Sequence, residues 1–241
     1  MLKARGNTKT GTRANNQDVF LIFHNQFDFL ITIIADGMGG HKGGEVASKF
    51  ATEHIKKYLD SIDFSNKSNE TIQYQLMLSL KKVQNDFFDN LKVQPEFSDM
   101  GTTLNLNLFV KNKMFSLNIG DSRTSQFFKR EIRAITEDHN LATLALKDPK
   151  YKEYAGYTNL LTSSLGPKKE TKIDLFVTPL VKKGYIIQTS DGVHNFVKKE
   201  DFKKILKSKN SLEDKVDAII NCAFDKKSND NMTVVVIEYA Y

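Results

Sequence analysis

The sequence predicts an α+β fold, a four-layer αββα sandwich with two mainly antiparallel sheets flanked by helices. Three observations point there. Aspartates stand at the ends of apolar runs: Asp36, Asp121 and Asp191 follow their runs, whereas Asp18 and Asp230 precede theirs. In antiparallel strands that alternation brings all five carboxylates to one sheet edge. Runs such as LITIIA and TVVVI are apolar at successive positions, so both faces of those strands need cover. Long segments of helical period, arranged in sequential pairs, supply that cover.

Taken in order, VFLIFHN and FLITIIA are separated by a short turn, and the midpoint between Asp18 and Asp36 falls near Phe27. A hairpin folded there sets Asp18 beside Asp36. GGEVASKFATEHIKKYLD carries Val46, Phe50, Ile55 and Leu59 at helical spacing, and ETIQYQLMLSLKKVQNDFFDNL carries Ile72, Leu76, Val83, Phe87 and Leu91. These stripes read as core. TLNLNLFV and MFSLNI, joined by KNK, form a second hairpin that is expected to place Thr103 opposite Asp121. From about Asp138 to Gly166 the chain is irregular, mixing NLATLALK with Pro149, Tyr151, Tyr154, Gly156 and Tyr157, and reads as a helical insertion beside the site. A further helix covers SLEDKVDAIINCAF, with Ser211 as N-cap and Val216, Ile219, Ile220 and Ala223 inward.

The 241 residues, 40% of them hydrophobic, suit one domain spanning residues 1–241. MLKARGNTKTGTR is charged but has no apolar run behind it, and no apolar stretch is long enough to cross a bilayer, so a soluble cytoplasmic protein with no membrane association is expected. The net charge of +6 could suggest nucleic acid. The densest basic stretch, KKEDFKKILKSKN, interleaves acids and lacks a stacking pattern of aromatics, so it reads as a solvated helix face and no nucleic-acid partner is expected. Cys222 alone permits no disulfide within the chain and reads as a small buried residue.

One Asp-Gly or Asn-Asp is ordinary turn chemistry. Several at strand ends on one edge are not, because a strand end fixes the direction of a short carboxylate and the adjacent glycine admits a ligand closely. Converging carboxylates repel and raise one another's pKa, and a divalent cation compensates. With no Cys or His cluster, oxygen ligands favour Mg or Mn over Zn. Gly39, Gly40, Gly43 and Gly44 resemble a phosphate-cradling loop, but the Gly-Lys-Ser/Thr ending of a P-loop is missing. His41 could act as a general acid or be an ordinary loop residue. A calcium module is disfavoured for want of a D-x-D-x-D-G loop.

The strings RANNQD, ADGMGGHKGGEVAS, GTTL, NIGDSR, TEDHN, SSLGP, TSDGV and DNMTVVV stand together in the order of the PPM family, the metal-dependent type 2C protein serine/threonine phosphatases, which the chain resembles almost end to end in the bacterial form. The resemblance implies an αββα sandwich holding two Mn2+ or Mg2+ ions, with a third in bacterial members. It implies that Asp36 bridges both metals, that Gly37 offers its carbonyl to the second, and that Asp191 and Asp230 complete the first. Asp121 with Asp191 resembles the pair holding the third ion, Asp18 the carboxylate that orients metal-bound water, and Arg13 the phosphate ligand. The implied reaction is hydrolysis of phosphoserine and phosphothreonine by in-line attack of a metal-bridging hydroxide. The implied partners are phosphorylated proteins, including a serine/threonine kinase and its substrates. The insertion at about 138–166 corresponds to the family's flap. The chain departs from relatives at Met38, where eukaryotic members carry histidine, at Ser163, Ser164, Leu165 and Gly166, and at Asn195, where some carry a carboxylate. The alternative of another class is an inert phosphoprotein-binding regulator on the same fold, which metal-dependent turnover would discriminate.

Overall fold

Antiparallel pairing builds two sheets from eleven strands in the computed structural model, which describes residues 1–38, 43–167 and 171–241. Gly39, Gly40 and His41, and the side chain of Leu91, lie outside the described residues. In one sheet the strand order is β1 (Leu2–Lys9), β11 (Met232–Ala240), β10 (Lys183–Thr189), β7 (Arg123–Phe128), β8 (Glu131–Ala134). In the other it is β2 (Asp18–His24), β3 (Leu30–Met38), β5 (Leu104–Val110), β6 (Lys113–Ile119), β9 (Asp174–Pro179), with the short β4 (Gly101–Thr102) paired to the end of β3.

Burial follows the apolar pattern into four layers. α1 (Gly43–Asp60) and α2 (Asn69–Val93) lay Ile55, Leu59, Ile72, Leu76, Val83 and Phe87 on the second sheet against Ile31, Ile33, Leu106 and Leu117. Val46 and Phe50 of the same stripe are half-buried at its margin. Between the sheets lie Leu30, Ile34, Phe109, Met114, Ile186, Val235, Ile237 and Tyr239. α3 (Leu141–Lys147) stands in the irregular segment between strands β8 and β9, and on the outer face of the first sheet α4 (Asp191–His194), α5 (Lys199–Lys207) and α6 (Leu212–Asp225) contribute Val193, Phe202, Val216, Ile219, Ile220 and Ala223. α6 begins at Ser211, whose hydroxyl accepts the Asp214 amide while Asp214 bonds back to the Ser211 amide, a capping box. Cys222 is half-buried, and burial pushes its thiol pKa up. Among the described residues no helix is long and apolar enough to cross a membrane.

Two local expectations change. The second hairpin turns through only Lys111 and Asn112, with Lys111 at φ 52°, so Val110 pairs with Lys113 and Leu104 with Ile119. Extending that register sets Thr103 against Gly120, one residue short of the expected Asp121. The cause is the turn, one residue shorter than KNK, and the position it brings opposite Thr103 has to be glycine, since a Cβ on Gly120 would lie 2.6 Å from Thr103 Cγ2 and φ is +90°. The charged start of the chain, in which the sequence showed no element, is strand β1, paired with β11 along its whole length.

Candidate active site

The β2–β3 hairpin pairs Asp18 with Asp36 directly. Asp121 follows β6, Asp191 opens α4 after β10, and Asp230 precedes β11, so the five carboxylates meet where the two sheets end on the same side. An open cleft of about 740 Å³ lies there, lined by Arg13, Asp36, Gly37, Asp121, Asp191 and Asp230 and also by Thr103, Asn231, Asn159 and Leu161. Asp18 is not on the lining; it stands buried behind Asp36.

Backbone and hydroxyl contacts hold these strand ends. The Asp36 amide donates to Thr103 Oγ1 at 2.9 Å, and its carbonyl accepts from the Thr103 amide and the Thr102 hydroxyl. Thr103 Oγ1 shares a 2.8 Å hydrogen bond with Ser122, the residue after Asp121. Asp18 Oδ2 accepts from Ser190 Oγ at 2.8 Å and Thr233 Oγ1 at 2.6 Å. Asn231 donates from Nδ2 to the carbonyls of Thr10 and Asn15 and accepts the Gln17 amide, pinning the loop that presents Arg13. Gly37 touches backbone closely, since a Cβ there would lie 2.0 Å from the Gly44 carbonyl oxygen. Thr102, Ser190, Asn231 and Thr233 escape sequence reasoning although they sit inside GTTL, TSDGV and DNMTVVV; the available signal was the hydroxyl or amide residue beside Asp121, Asp191 and Asp230, namely Ser122, Ser190 and Asn231.

The electrostatics are those of crowded like charges. Burial is the first cause and neighbouring carboxylates the next in raising Asp36 and Asp121 well above the usual carboxylate range. Burial, opposed by the Thr233 and Ser190 hydrogen bonds, brings Asp18 up to about 6. Asp191 is raised by burial and by Asp230, partly offset by the Gly192 amide, Asp36 and Arg13. Arg13 donates through Nη2 to Asp230 Oδ2 at 2.7 Å and through Nε to the Asn229 carbonyl at 2.9 Å, leaving three of its five N–H groups free of described partners.

A divalent cation suits this donor set. Asp18 Oδ1 and Asp191 Oδ1 are buried without a hydrogen-bond partner among the described residues, which is costly for an oxygen that nothing positive compensates. The carboxylates are arrayed across the cleft: among the described residues no three of His, Cys, Asp or Glu are gathered tightly enough to enclose an ion.

A sequence model of protein phosphatase 2C matches residues 5–231. The chain belongs to the protein phosphatase 2C family. Within that family it is 30% identical over 230 residues to the serine/threonine phosphatase Stp of Listeria welshimeri, covering 94% of this chain and 91% of the relative. The crystal structure of the serine/threonine phosphatase Stp1 from Staphylococcus aureus superposes with a TM-score of 0.89 at 30% identity, covering 100% of this chain and 96% of that one. The catalytic domain of the phosphatase PstP, in complex with two manganese ions, has the same fold at a TM-score of 0.84 and 24% identity, covering 100% and 99%.

Proposed function

We propose that this 2C-type protein is a metal-dependent serine/threonine phosphatase acting on phosphorylated proteins. The observation that carries the reading is the convergence of Asp36, Asp121, Asp191 and Asp230 on one cleft, with Asp18 buried behind Asp36, carboxylate oxygens of Asp18 and Asp191 left without a described partner, and Arg13 on the same lining.

Asp36, the Gly37 carbonyl, Asp191 and Asp230 would hold two Mn2+ or Mg2+ ions, and Asp121 with Asp191 a third. Such ions, when bound, supply Lewis-acid stabilisation to phosphoryl oxygens and lower the pKa of water. The protein's own groups do the rest. Asp18, held by Ser190 and Thr233 through Oδ2, stands behind Asp36 with Oδ1 unpartnered among the described residues, and from there would orient water bound at the site. Arg13 offers its remaining N–H groups to phosphate oxygens in a planar fork that stays charged at any working pH. Thr103 and Thr102 hold the Asp36 backbone through its amide and carbonyl, which fixes the strand end from which the carboxylate projects.

The same reading takes residues 1–241 as one phosphatase domain in which residues 138–166 act as a flap. It places the protein in the cytoplasm, in keeping with a lone Cys222 that leaves no intrachain disulfide, and a phosphatase of phosphorylated proteins there would oppose a serine/threonine kinase. Phosphate release from a phosphothreonine peptide, measured with Mn2+, with Mg2+ and with chelator, tests the activity. Turnover that requires the ion is expected; ion binding without turnover would favour the inert phosphoprotein-binding regulator.

A further inference from the structure

Asp121 leaves β6 through Gly120, a residue at φ +90° with no intrinsic restraint on its backbone. Something else must hold that joint if the next carboxylate is to point one way. His139 does so from both sides of the peptide: its amide donates to the Gly120 carbonyl at 3.0 Å, and its Nδ1 accepts the Gly120 amide at 3.2 Å. With Nδ1 an acceptor, the ring proton sits on Nε2 and is donated to Asp174 Oδ2 at 2.9 Å. The imidazole is 1% exposed, and Asp174, the first residue of β9, is itself tied to Lys172 at 3.2 Å. The preceding residue grips the other flank of the same loop, because Asp138 takes a two-pronged hydrogen bond from Arg123 at 3.0 and 2.5 Å. The insertion begins immediately after, and the Thr162 amide returns to the His139 carbonyl to close its base.

We propose that His139 is the positioning residue for Asp121. Anchored on Asp174, its imidazole fixes the Gly120 amide and thereby the direction of the Asp121 carboxylate toward the cleft. The inference rests on the phosphatase reading only in taking Asp121 as an ion ligand. It differs from a packing role in what it moves: a histidine that merely satisfies burial affects stability and leaves ion affinity alone.

Two substitutions separate its two ring nitrogens. His139→Asn keeps an acceptor near the position of Nδ1, and His139→Gln keeps a donor near that of Nε2. Mn2+ binding is measured by calorimetry on each chelator-treated full-length protein, beside kcat and KM on a phosphothreonine peptide and the melting temperature. The Gln variant is expected to bind Mn2+ about 10–100-fold more weakly at its weakest site, the range typical of groups that orient metal ligands. The Asn variant, which keeps the acceptor for the Gly120 amide but gives up the Asp174 anchor, should lose clearly less than the Gln variant, and KM for peptide at saturating Mn2+ should be unchanged in both. Equal losses in the two variants, or a fall in melting temperature with Mn2+ affinity intact, overturn the proposal. Should the Gln variant not fold, Asp174→Ala at the partly exposed partner replaces it: it removes the acceptor that anchors Nε2, as the Asn variant removes the donor, so the same smaller loss is expected and wild-type Mn2+ affinity there overturns the proposal. Wild-type protein that binds Mn2+ but turns over no peptide would refute the activity, while the binding comparison would still decide the role of His139.

Discussion

Charged residues at the cleft and charged residues between the outer helices obey opposite rules. At the cleft, Asp18, Asp36, Asp121 and Asp191 are pushed up in pKa by burial and by each other, and two of their oxygens have no described partner. Between α1 and α2, Asp86 accepts from Tyr58 at 2.6 Å and shares a 2.6 Å hydrogen bond with His54, whose ring stacks on Phe50 at 4.0 Å. Burial works upward on Asp86 too, but the Tyr58 and His54 hydrogen bonds outweigh it and its pKa is lowered, while Tyr58 is pushed up to about 12. The acid between the helices is satisfied by the fold; the acids at the cleft are left needing a partner from outside.

The largest effect expected from breaking this contrast is in Asp36→Ala. Its kcat should fall on the order of 10³-fold or more, through loss of several kcal/mol of charge stabilisation. Its melting temperature in chelator should hold or rise, because one member of a repelling cluster is gone. A variant retaining most of its turnover would refute a role for Asp36 in ion binding. In the apolar layer beneath Asp86, Leu106→Ala at a fully buried site should cost about 2–5 kcal/mol in denaturant unfolding and leave KM unchanged in the folded fraction. Arg13→Ala should raise KM for phosphopeptide about 10-fold or more, the scale of a charge-assisted hydrogen bond, with a smaller change in kcat. An unchanged KM would mean that Arg13 serves only Asp230.

The smallest effects belong to the helix clasp. Asp86→Asn should lower stability by about 1 kcal/mol or less, given its partial exposure, and leave turnover untouched. The sign of its pH dependence follows from linkage: a lowered folded-state pKa gives stability that is present above the ordinary carboxylate value and is lost as pH falls through the folded one. The melting-temperature gap between wild type and Asp86→Asn should be full at neutral pH and shrink below about pH 4, near the ordinary Asp value. A gap that widens in acid would contradict the clasp.

Much of this was legible beforehand where the signal is local. Asp18 beside Asp36 follows from one turn and a period of two, and the α6 cap from Ser211 and Asp214 three residues apart. The β7–β8 hairpin was not, because its turn places Lys129 and Arg130 at φ 49° and 68°, where the expected signal is Asn-Gly. Strand β1 hid for another reason: only Ala4 along it is buried, and edge pairing leaves its remaining residues polar.

The identity of the five acids, their common edge and the alternation of sheet and helix were determined by the sequence itself, since strand polarity and side-chain period are properties of neighbouring residues. Which strands lie side by side, that Asn231 pins the Arg13 loop, and that His139 props Gly120 were decided only in the tertiary structure. Those contacts join positions 19 to more than 200 residues apart, and a pairing across such a distance leaves no periodic trace in either partner.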